Sequence, residues 1–356
     1  MILRMNIMKR RSRPFLLGTA LTAALVLAAC GGSGDGATGD GATGDAMTGD
    51  ATTGDATTGD ATGAAADVGA VATSDAASDG ATLEVVAAFY PLEFLTSRVG
   101  GDRVALTALT PPGAEAHDLE LSPQALAGLT EADLVVALGG FQPAVDDALT
   151  DLDVPVLDLA QLADRPYVEE EGEHSEEEGE EHSDTDPHFW LDPTYMGEAA
   201  AMIADALTEA DPDGADTYAA NAEALTTELD ELDAQAQEAF GSCAVDTLVT
   251  AHDAFGYFGD RYGFEIRSIN GLSPDQEPDA GTLAQISDFV ADSDVRTVYT
   301  ETLVSSAVAD TVAAEAGVAT AVLDPVEGLT DSSAGEDYLE VMRANIDVVR
   351  AGQACA

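Results

Sequence analysis

Three of the five histidines in this chain lie in segments of similar character. His117 lies in Pro-Pro-Gly-Ala-Glu-Ala-His-Asp, His188 in Asp-Pro-His-Phe-Trp-Leu-Asp-Pro, and His252 in Thr-Ala-His-Asp-Ala-Phe-Gly-Tyr. Each segment is turn-like and carries an acidic residue close to the histidine. A lone histidine is more often a structural residue, but three in such segments favour a shared metal site, because imidazole is the commonest transition-metal ligand. The three are far apart in the chain, so only a fold can assemble such a site.

The folded body, residues 80–356, alternates short apolar segments with helical ones. Strands rich in β-branched residues are predicted at 83–89, 104–109, 134–138 and 154–157, and a second set at 247–250, 264–269, 295–299 and 318–323. Helices are predicted between them, at 91–100, 122–131, 141–151, 278–292, 304–315 and 335–351. Strand–helix alternation is typical of parallel sheets that are covered by helices on both faces. Two such sets predict two α/β lobes, at 80–210 and 241–356.

A long helix is predicted between the lobes, at 211–240. Asp211 and Pro212 provide an acidic cap and a proline in the first turn. Apolar residues then recur at helical spacing as far as Phe240: Tyr218, Ala222, Leu225, Leu229, Leu232 and Ala236. A helix of that length measures on the order of 40 Å and can run along both lobes.

The predicted strands also indicate where the histidines lie. In parallel sheets, ligands bind at the loops that follow the carboxyl ends of the strands. His117 follows the strand at 104–109, His252 follows the strand at 247–250, and His188 precedes a helix that begins near Thr194. His117 and His188 belong to the first lobe and His252 to the second. Three imidazoles and one carboxylate suit Zn(II).

An acidic residue of the second lobe is the expected fourth ligand. Asp324 directly follows the strand at 318–323 and is the first choice. Glu327, Glu301 and Asp253 are the alternatives.

These motifs, in this order and separated by a long helix, resemble the zinc-binding solute receptors of bacterial ABC importers, the ZnuA-like branch of the cluster 9 binding proteins. The resemblance covers nearly all of 80–356. It implies two doubly wound parallel-sheet lobes bridged by one rigid helix, with a metal in the cleft, a membrane permease with its ATPase as partner, and a monomeric receptor. By position it assigns His117, His188 and His252 as ligands and Asp324 as the acidic fourth, although some relatives have water or a nearby Glu in that place. Manganese-preferring relatives carry Glu at the third histidine, so His252 favours zinc.

The first thirty residues predict export. Five basic residues precede an apolar run at 15–29, which is shorter than the roughly 20 residues that span a bilayer, so 1–29 is typical of a signal peptide. The run ends in Leu-Ala-Ala-Cys and resembles the lipobox of bacterial lipoproteins, with Cys30 lipidated. The alternative is an ordinary signal peptide with a chance cysteine. Residues 30–79 contain repeated Gly-Ala-Thr-Gly-Asp and Ala-Thr-Thr-Gly-Asp pentads, which predict a flexible tether.

The charge balance excludes one class of partner. The chain has 67 acidic residues against 13 basic ones and a net charge of −54. A basic face for nucleic acid is therefore not expected, and an anionic membrane would repel the body. We expect membrane attachment only through the lipid anchor, on the outer face of the cytoplasmic membrane.

Two cysteines remain after Cys30. Cys243 and Cys355 form an even pair, and an oxidising compartment predicts a disulfide between them. Two free buried thiols are the alternative.

Other functions fit the same residues less well. Three histidines with an open position also make a catalytic zinc site, but the chain contains no His-Glu-x-x-His segment and no nucleophile in a recognisable motif. We therefore do not expect an enzyme. An adhesin or a metal buffer of the same fold is a further alternative.

An acidic segment precedes the second histidine motif. Residues 169–185 are rich in Glu and include His174 and His182. They are interpreted either as a weak zinc-gathering loop or as an acidic insertion in an acidic protein, and neither histidine is assigned to the primary site.

Deletion of residues 169–183 should leave one tight zinc equivalent and remove weaker ones, because the three motif histidines lie outside the segment. Isothermal titration calorimetry of the deleted and full chains measures both classes of site. Loss of the tight equivalent would show that His174 or His182 is a primary ligand.

Overall fold

The computed structural model describes residues 82–167, 185–274 and 278–356. The signal peptide, Cys30, the tether, and His174 and His182 of the acidic segment lie outside the described residues. Within them, none of the helices combines the length and apolarity that crossing a bilayer requires.

The first lobe is a four-stranded parallel sheet with helical connections. Its elements are β1 (Leu83–Ala87), α1 (Tyr90–Gly100), β2 (Val104–Ala108), α2 (Pro123–Glu131), β3 (Leu134–Ala137), α3 (Pro143–Asp151) and β4 (Val156–Asp158). The strand order is β2-β1-β3-β4, and Val85 pairs with both Leu106 and Leu134. β1 and β3 are central and, apart from the exposed Glu84 of β1, wholly buried, which explains why their other residues are all apolar.

Two antiparallel helices follow. α4 (Pro193–Ala210) and α5 (Ala215–Ala239) pack against each other, and α5 also contacts α1 and the C-terminal helix. The six apolar positions predicted from helical spacing between Tyr218 and Ala236 are all buried in α5. Asp233 is buried on the same face and is paired with Arg261 of the second lobe at 2.5 Å.

The second lobe repeats the topology of the first. It comprises β5 (Thr247–Thr250), α6 (Gly256–Tyr262), β6 (Glu265–Ser268), α7 (Ala280–Asp292), β7 (Thr297–Thr300), α8 (Ala307–Ala316), β8 (Ala319–Val322) and α9 (Tyr338–Gly352). Its strand order is β6-β5-β7-β8, again all parallel. The prediction of two parallel α/β lobes is confirmed. Helix α6 was not predicted, because its seven residues include two glycines and are too few for a clear helical period.

Side-chain caps define where several helices begin. Ser122, Asp192, Asp279 and Asp337 each accept a hydrogen bond from a backbone N–H of the first turn. Proline follows Ser122 and Asp192 at the first helical position, where it has no N–H to leave unpaired. The cap at Asp192 also fixes the end of the Asp-Pro-His-Phe-Trp-Leu-Asp-Pro motif.

Two buried hydrogen bonds join the lobes beside this motif. The Trp190 indole N–H donates to the carbonyl of Pro325 at 2.8 Å, and the Tyr338 hydroxyl donates to the carbonyl of Trp190 at 2.6 Å. Trp190 is wholly buried. The segment that carries His188 is therefore tied directly to the turn after β8.

The predicted disulfide is present. Cys243 and Cys355 are bonded across a sequence separation of 112 residues. The C-terminal segment is also held by Gln353, whose carbonyl accepts from Ala244 and Val245 and whose side chain donates to the carbonyl of Thr247. The segment thus has attachments besides the disulfide.

Reduction of this disulfide should lower the free energy of unfolding by at most about 4–5 kcal/mol, because the bond restricts a loop of more than a hundred residues in the unfolded chain. The reduced protein should stay folded, since the Gln353 contacts remain. Urea unfolding of the parent with and without reductant tests this, and a Cys243→Ser/Cys355→Ser variant, which should be insensitive to reductant, is the control. Equal stability of the reduced and oxidised parent would contradict the prediction.

Candidate metal centre

His117 lies in the loop between β2 and α2. The Glu115 carboxylate accepts the backbone N–H groups of His117 and Asp118, both at 3.0 Å, and so closes a tight turn. The imidazole lies edge-on against Phe141, with ring centroids 4.5 Å apart. Gln142 donates to the carbonyl of Ala116 at 2.9 Å and ties the loop to the lobe. The turn and the aromatic contact together set the direction of the ring.

His188 is held by the aspartate two residues before it. One carboxylate oxygen of Asp186 lies 2.9 Å from the His188 backbone nitrogen and 2.8 Å from its Nδ1. The other oxygen accepts from Arg165 at 3.1 Å. An ionised carboxylate only accepts hydrogen bonds, so Nδ1 carries the proton and Nε2 is directed to the opposite side of the ring.

His252 is held in the same way by a residue distant in sequence. Glu301, directly after β7, accepts from the His252 backbone N–H at 3.1 Å and lies 2.7 Å from Nδ1. Thr250 donates to the carbonyl of His252 at 2.8 Å. Glu301 was considered above as an alternative ligand. It is instead a hydrogen-bond partner of His252, which is itself a candidate ligand.

Glu327 supplies the carboxylate at the centre of the site. Its Oε1 lies 3.5 Å from Nε2 of His117, 3.4 Å from that of His188 and 3.2 Å from that of His252. All four atoms lie within 4.8 Å of one another. Tetrahedral zinc with bonds of about 2.0–2.1 Å has edges of about 3.3–3.4 Å. The distances from Glu327 thus match such an ion.

These four atoms share an unusual state. Each is buried and has no hydrogen-bond partner, although such atoms are rare in folded proteins. The only other buried side-chain atoms in this state among the described residues are in Thr96, Asn270 and Ser293. Unpaired buried groups that converge on one point fit a cation, which would satisfy all four at once.

The expected fourth ligand needs correction. Asp324 is not in the cluster; one of its oxygens accepts from the backbone N–H of Val326 at 2.8 Å, and the other accepts from Thr302 at 3.0 Å. Asp253 is also outside it. The chain turns at Val326 and brings Glu327, three residues after Asp324, into the site. Asp324 was predicted because it is the first acidic residue after β8, and that prediction did not account for this turn.

The carboxylates and imidazoles of the site stabilise each other's charged forms. Burial alone would raise the pKa of Glu327, but the surrounding imidazoles, above all His117, hold it well below its ordinary value. Burial alone would lower the pKa of His188, and its contacts with Asp186 and Glu327 raise it overall. The pKa of His252 is raised well above its ordinary value, because Glu301 and Glu327 outweigh the effect of burial. A second proton on Nε2 of one of these histidines and a metal ion would therefore compete for the same place beside Glu327.

Comparison with known proteins agrees with this geometry. Residues 85–352 match the family model ZnuA, described as zinc-uptake complex component A, periplasmic. The chain is 34% identical over 288 residues to the zinc-binding lipoprotein AdcA of Streptococcus pneumoniae, covering 79% of this chain and 58% of that protein. It is 32% identical over 288 residues to the high-affinity zinc uptake system protein ZnuA of Bacillus subtilis, covering 77% and 88%. It therefore spans about three fifths of the length of the streptococcal relative.

Comparison with a solved structure supports the same family. The Zn(II)-bound ZnuA-like domain of Streptococcus pneumoniae AdcA superposes with a TM-score of 0.63 at 32% identity, covering 76% of this chain and 99% of that one. The fold and the site are those of a two-lobed α/β binding protein whose candidate metal ligands lie between its lobes. Because the family model matches most of its length, the chain belongs to the ZnuA family.

The raised pKa of His252 predicts how stability depends on pH in the metal-free protein. A histidine whose pKa is higher in the folded state stabilises the fold below its unfolded pKa of about 6.5, and that contribution is lost as pH rises through the folded pKa. The stability difference between the parent and His252→Gln should therefore be largest near about pH 6 and shrink at higher pH. Unfolding by urea across this range measures it.

Histidine NMR provides the direct check. The imidazole of His252, assigned with the same variant, should titrate above about 6.5 in the metal-free protein. A titration midpoint below that value would contradict the prediction.

Proposed function

We propose that this protein is the zinc receptor of a bacterial importer. It binds Zn(II) through His117, His188, His252 and Glu327 and delivers the ion to an ABC permease that is driven by a cytoplasmic ATPase. The observation that carries the proposal is the convergence of four buried atoms, three Nε2 and one Oε1, that have no other partner. Membership of the ZnuA family supports it.

The donor set favours zinc over manganese. Imidazole nitrogen suits zinc, whereas manganese prefers oxygen donors and a larger number of ligands. Three nitrogens that each lie 3.2–3.5 Å from one carboxylate oxygen fit zinc. The Zn(II)-bound state of the AdcA domain from Streptococcus pneumoniae supports the same choice.

The set also favours binding over catalysis. Catalytic zinc sites keep one position open for water or substrate, whereas here a protein carboxylate occupies the fourth corner of the tetrahedron. Asp186 and Glu301 are engaged with histidine Nδ1 atoms. The ion is therefore the cargo of the protein and serves no hydrolytic reaction.

The site requires export to reach its ion and its partner. We infer that residues 1–29 direct secretion and that Cys30 is lipidated, with residues 30–79 as a tether that leaves the body free to meet the permease. The name of the Streptococcus pneumoniae relative, a zinc-binding lipoprotein, supports this. All four proposed ligands belong to one chain, so the site needs no second copy of the protein, and we infer that the receptor acts as a monomer.

Replacing one ligand should reduce zinc affinity strongly. His117→Ala, His188→Ala, His252→Ala and Glu327→Ala should each cost more than about a hundredfold, because loss of outer hydrogen-bond partners alone costs about 10–100-fold in metal sites. Competition with a chromophoric zinc chelator gives the dissociation constants. Asp118→Ala, which changes an exposed side chain next to His117, is the matched control and should bind like the parent.

His252→Glu gives the sharpest test of metal choice. Exchanging nitrogen for a harder oxygen should shift relative preference from zinc toward manganese. If His252→Ala and His252→Glu both bound zinc as tightly as the parent, His252 would not be a ligand.

The same variants test delivery. A strain lacking the gene should grow poorly in zinc-chelated medium and recover with added zinc. The parent and Asp118→Ala should restore growth, and Glu327→Ala should not. Restoration by Glu327→Ala, expressed at the level of the parent, would contradict the proposed receptor role.

A further inference from the structure

Val326, one residue before Glu327, has an unusual backbone conformation. Its φ is +60°, and among the described residues only Ala354 shares a positive φ without being glycine. The left-handed region is unfavourable for β-branched residues, because the branched Cβ crowds the neighbouring peptide. Val326 is also wholly buried. Such a conformation persists only where surrounding contacts enforce it, and it tends to occur at functional sites.

The side chain of Asp324 provides the nearest of these contacts. Its Oδ1 accepts the backbone N–H of Val326 at 2.8 Å, in the manner of an Asx turn. Its Oδ2 accepts from the Thr302 hydroxyl at 3.0 Å, which fixes the rotation of the carboxylate. The carboxylate thus connects the end of β8 to the strained residue.

Two further contacts hold the backbone of the same turn. The Asn345 side chain of α9 accepts the Asp324 N–H at 3.0 Å and donates to the Asp324 carbonyl at 2.7 Å. Trp190 donates to the carbonyl of Pro325 at 2.8 Å. These contacts anchor residues 324 and 325, so the bond from Asp324 is the one that acts on Val326 itself.

We propose that Asp324 is a positioning residue for Glu327, and that it acts by holding Val326 in the left-handed conformation that turns the next side chain into the site. This inference rests on the proposed zinc ligation by Glu327. It requires a hydrogen-bond acceptor at position 324, and it requires no negative charge there. Asparagine, whose carbonyl oxygen can accept the same N–H, should therefore replace aspartate, and alanine should not.

The test compares the zinc affinity of three variants with that of the parent by chelator competition, and the melting of each metal-free protein is a separate measure of folding. Asp324→Asn should bind zinc within a few-fold of the parent, and Asp324→Ala should bind about 10–100-fold more weakly. Thr302→Val removes the shorter of the two hydroxyl hydrogen bonds to Oδ2 of the same carboxylate and leaves the one from Ser333 at 3.5 Å, so it should cost much less than Asp324→Ala. A purely structural role would lower the melting temperature without this difference between Asn and Ala in affinity.

Val326→Gly keeps the proposal testable if Asp324→Ala folds poorly. Glycine adopts positive φ without strain, so the zinc affinity of Asp324→Ala/Val326→Gly should differ less from that of Val326→Gly than Asp324→Ala differs from the parent. An equal loss in both backgrounds would overturn the proposal. So would a loss in Asp324→Asn as large as that in Asp324→Ala.

Glu327→Ala separates this inference from the proposed function. If Glu327→Ala loses tight zinc binding while Asp324→Ala keeps it, the ligand set stands and the positioning role is overturned. If Glu327→Ala binds zinc as tightly as the parent, the proposed ligation by Glu327 is overturned instead, and the role of Asp324 with it.

Discussion

Burial of four electron-pair donors around one point is the constraint on which this structure depends. Each Nε2 and the Glu327 Oε1 is removed from water and lacks a hydrogen-bond partner within the protein. Burying such groups costs free energy unless a partner compensates for it. In the metal-free state, charge attraction between Glu327 and its neighbouring imidazoles provides part of that compensation, and it raises the pKa of His252 and lowers that of Glu327. A divalent cation provides all of it.

The side chains around the site keep these donors converged. Asp186 and Glu301 come from different lobes, yet each binds both the backbone N–H and the Nδ1 of one histidine. This arrangement fixes the position of the ring and the location of its proton together, and leaves Nε2 free for the ion. His117 has a different support, a turn closed by Glu115 and the face of Phe141. The site is therefore defined by the sheet ends and turns that carry its neighbours as much as by its ligands.

The sequence was sufficient for the parts of the molecule that repeat a local pattern. The spacing and type of the residues predict the apolar strands, the buried face of α5 and the three histidine motifs. The family resemblance leads to the same features. Glu327 was predicted only as an alternative fourth ligand. Its place in the site depends on a positive φ at Val326, a conformation that a β-branched residue rarely adopts. Glu301 was taken for a candidate ligand, because its pairing with His252 joins residues 49 positions apart. Both depend on tertiary contacts that local sequence does not encode.

The four converging side chains of the candidate metal centre are divided equally between the lobes. The first lobe supplies His117 and His188, and the second supplies His252 and Glu327. Either pair alone offers only two of the four donors that tetrahedral zinc takes. Trp190, two residues after His188, donates to Pro325, two residues before Glu327. Separation of the lobes that breaks this bond must also draw Glu327 away from His188. One change at the lobe interface would thus separate the four converging atoms together, without altering any of their side chains.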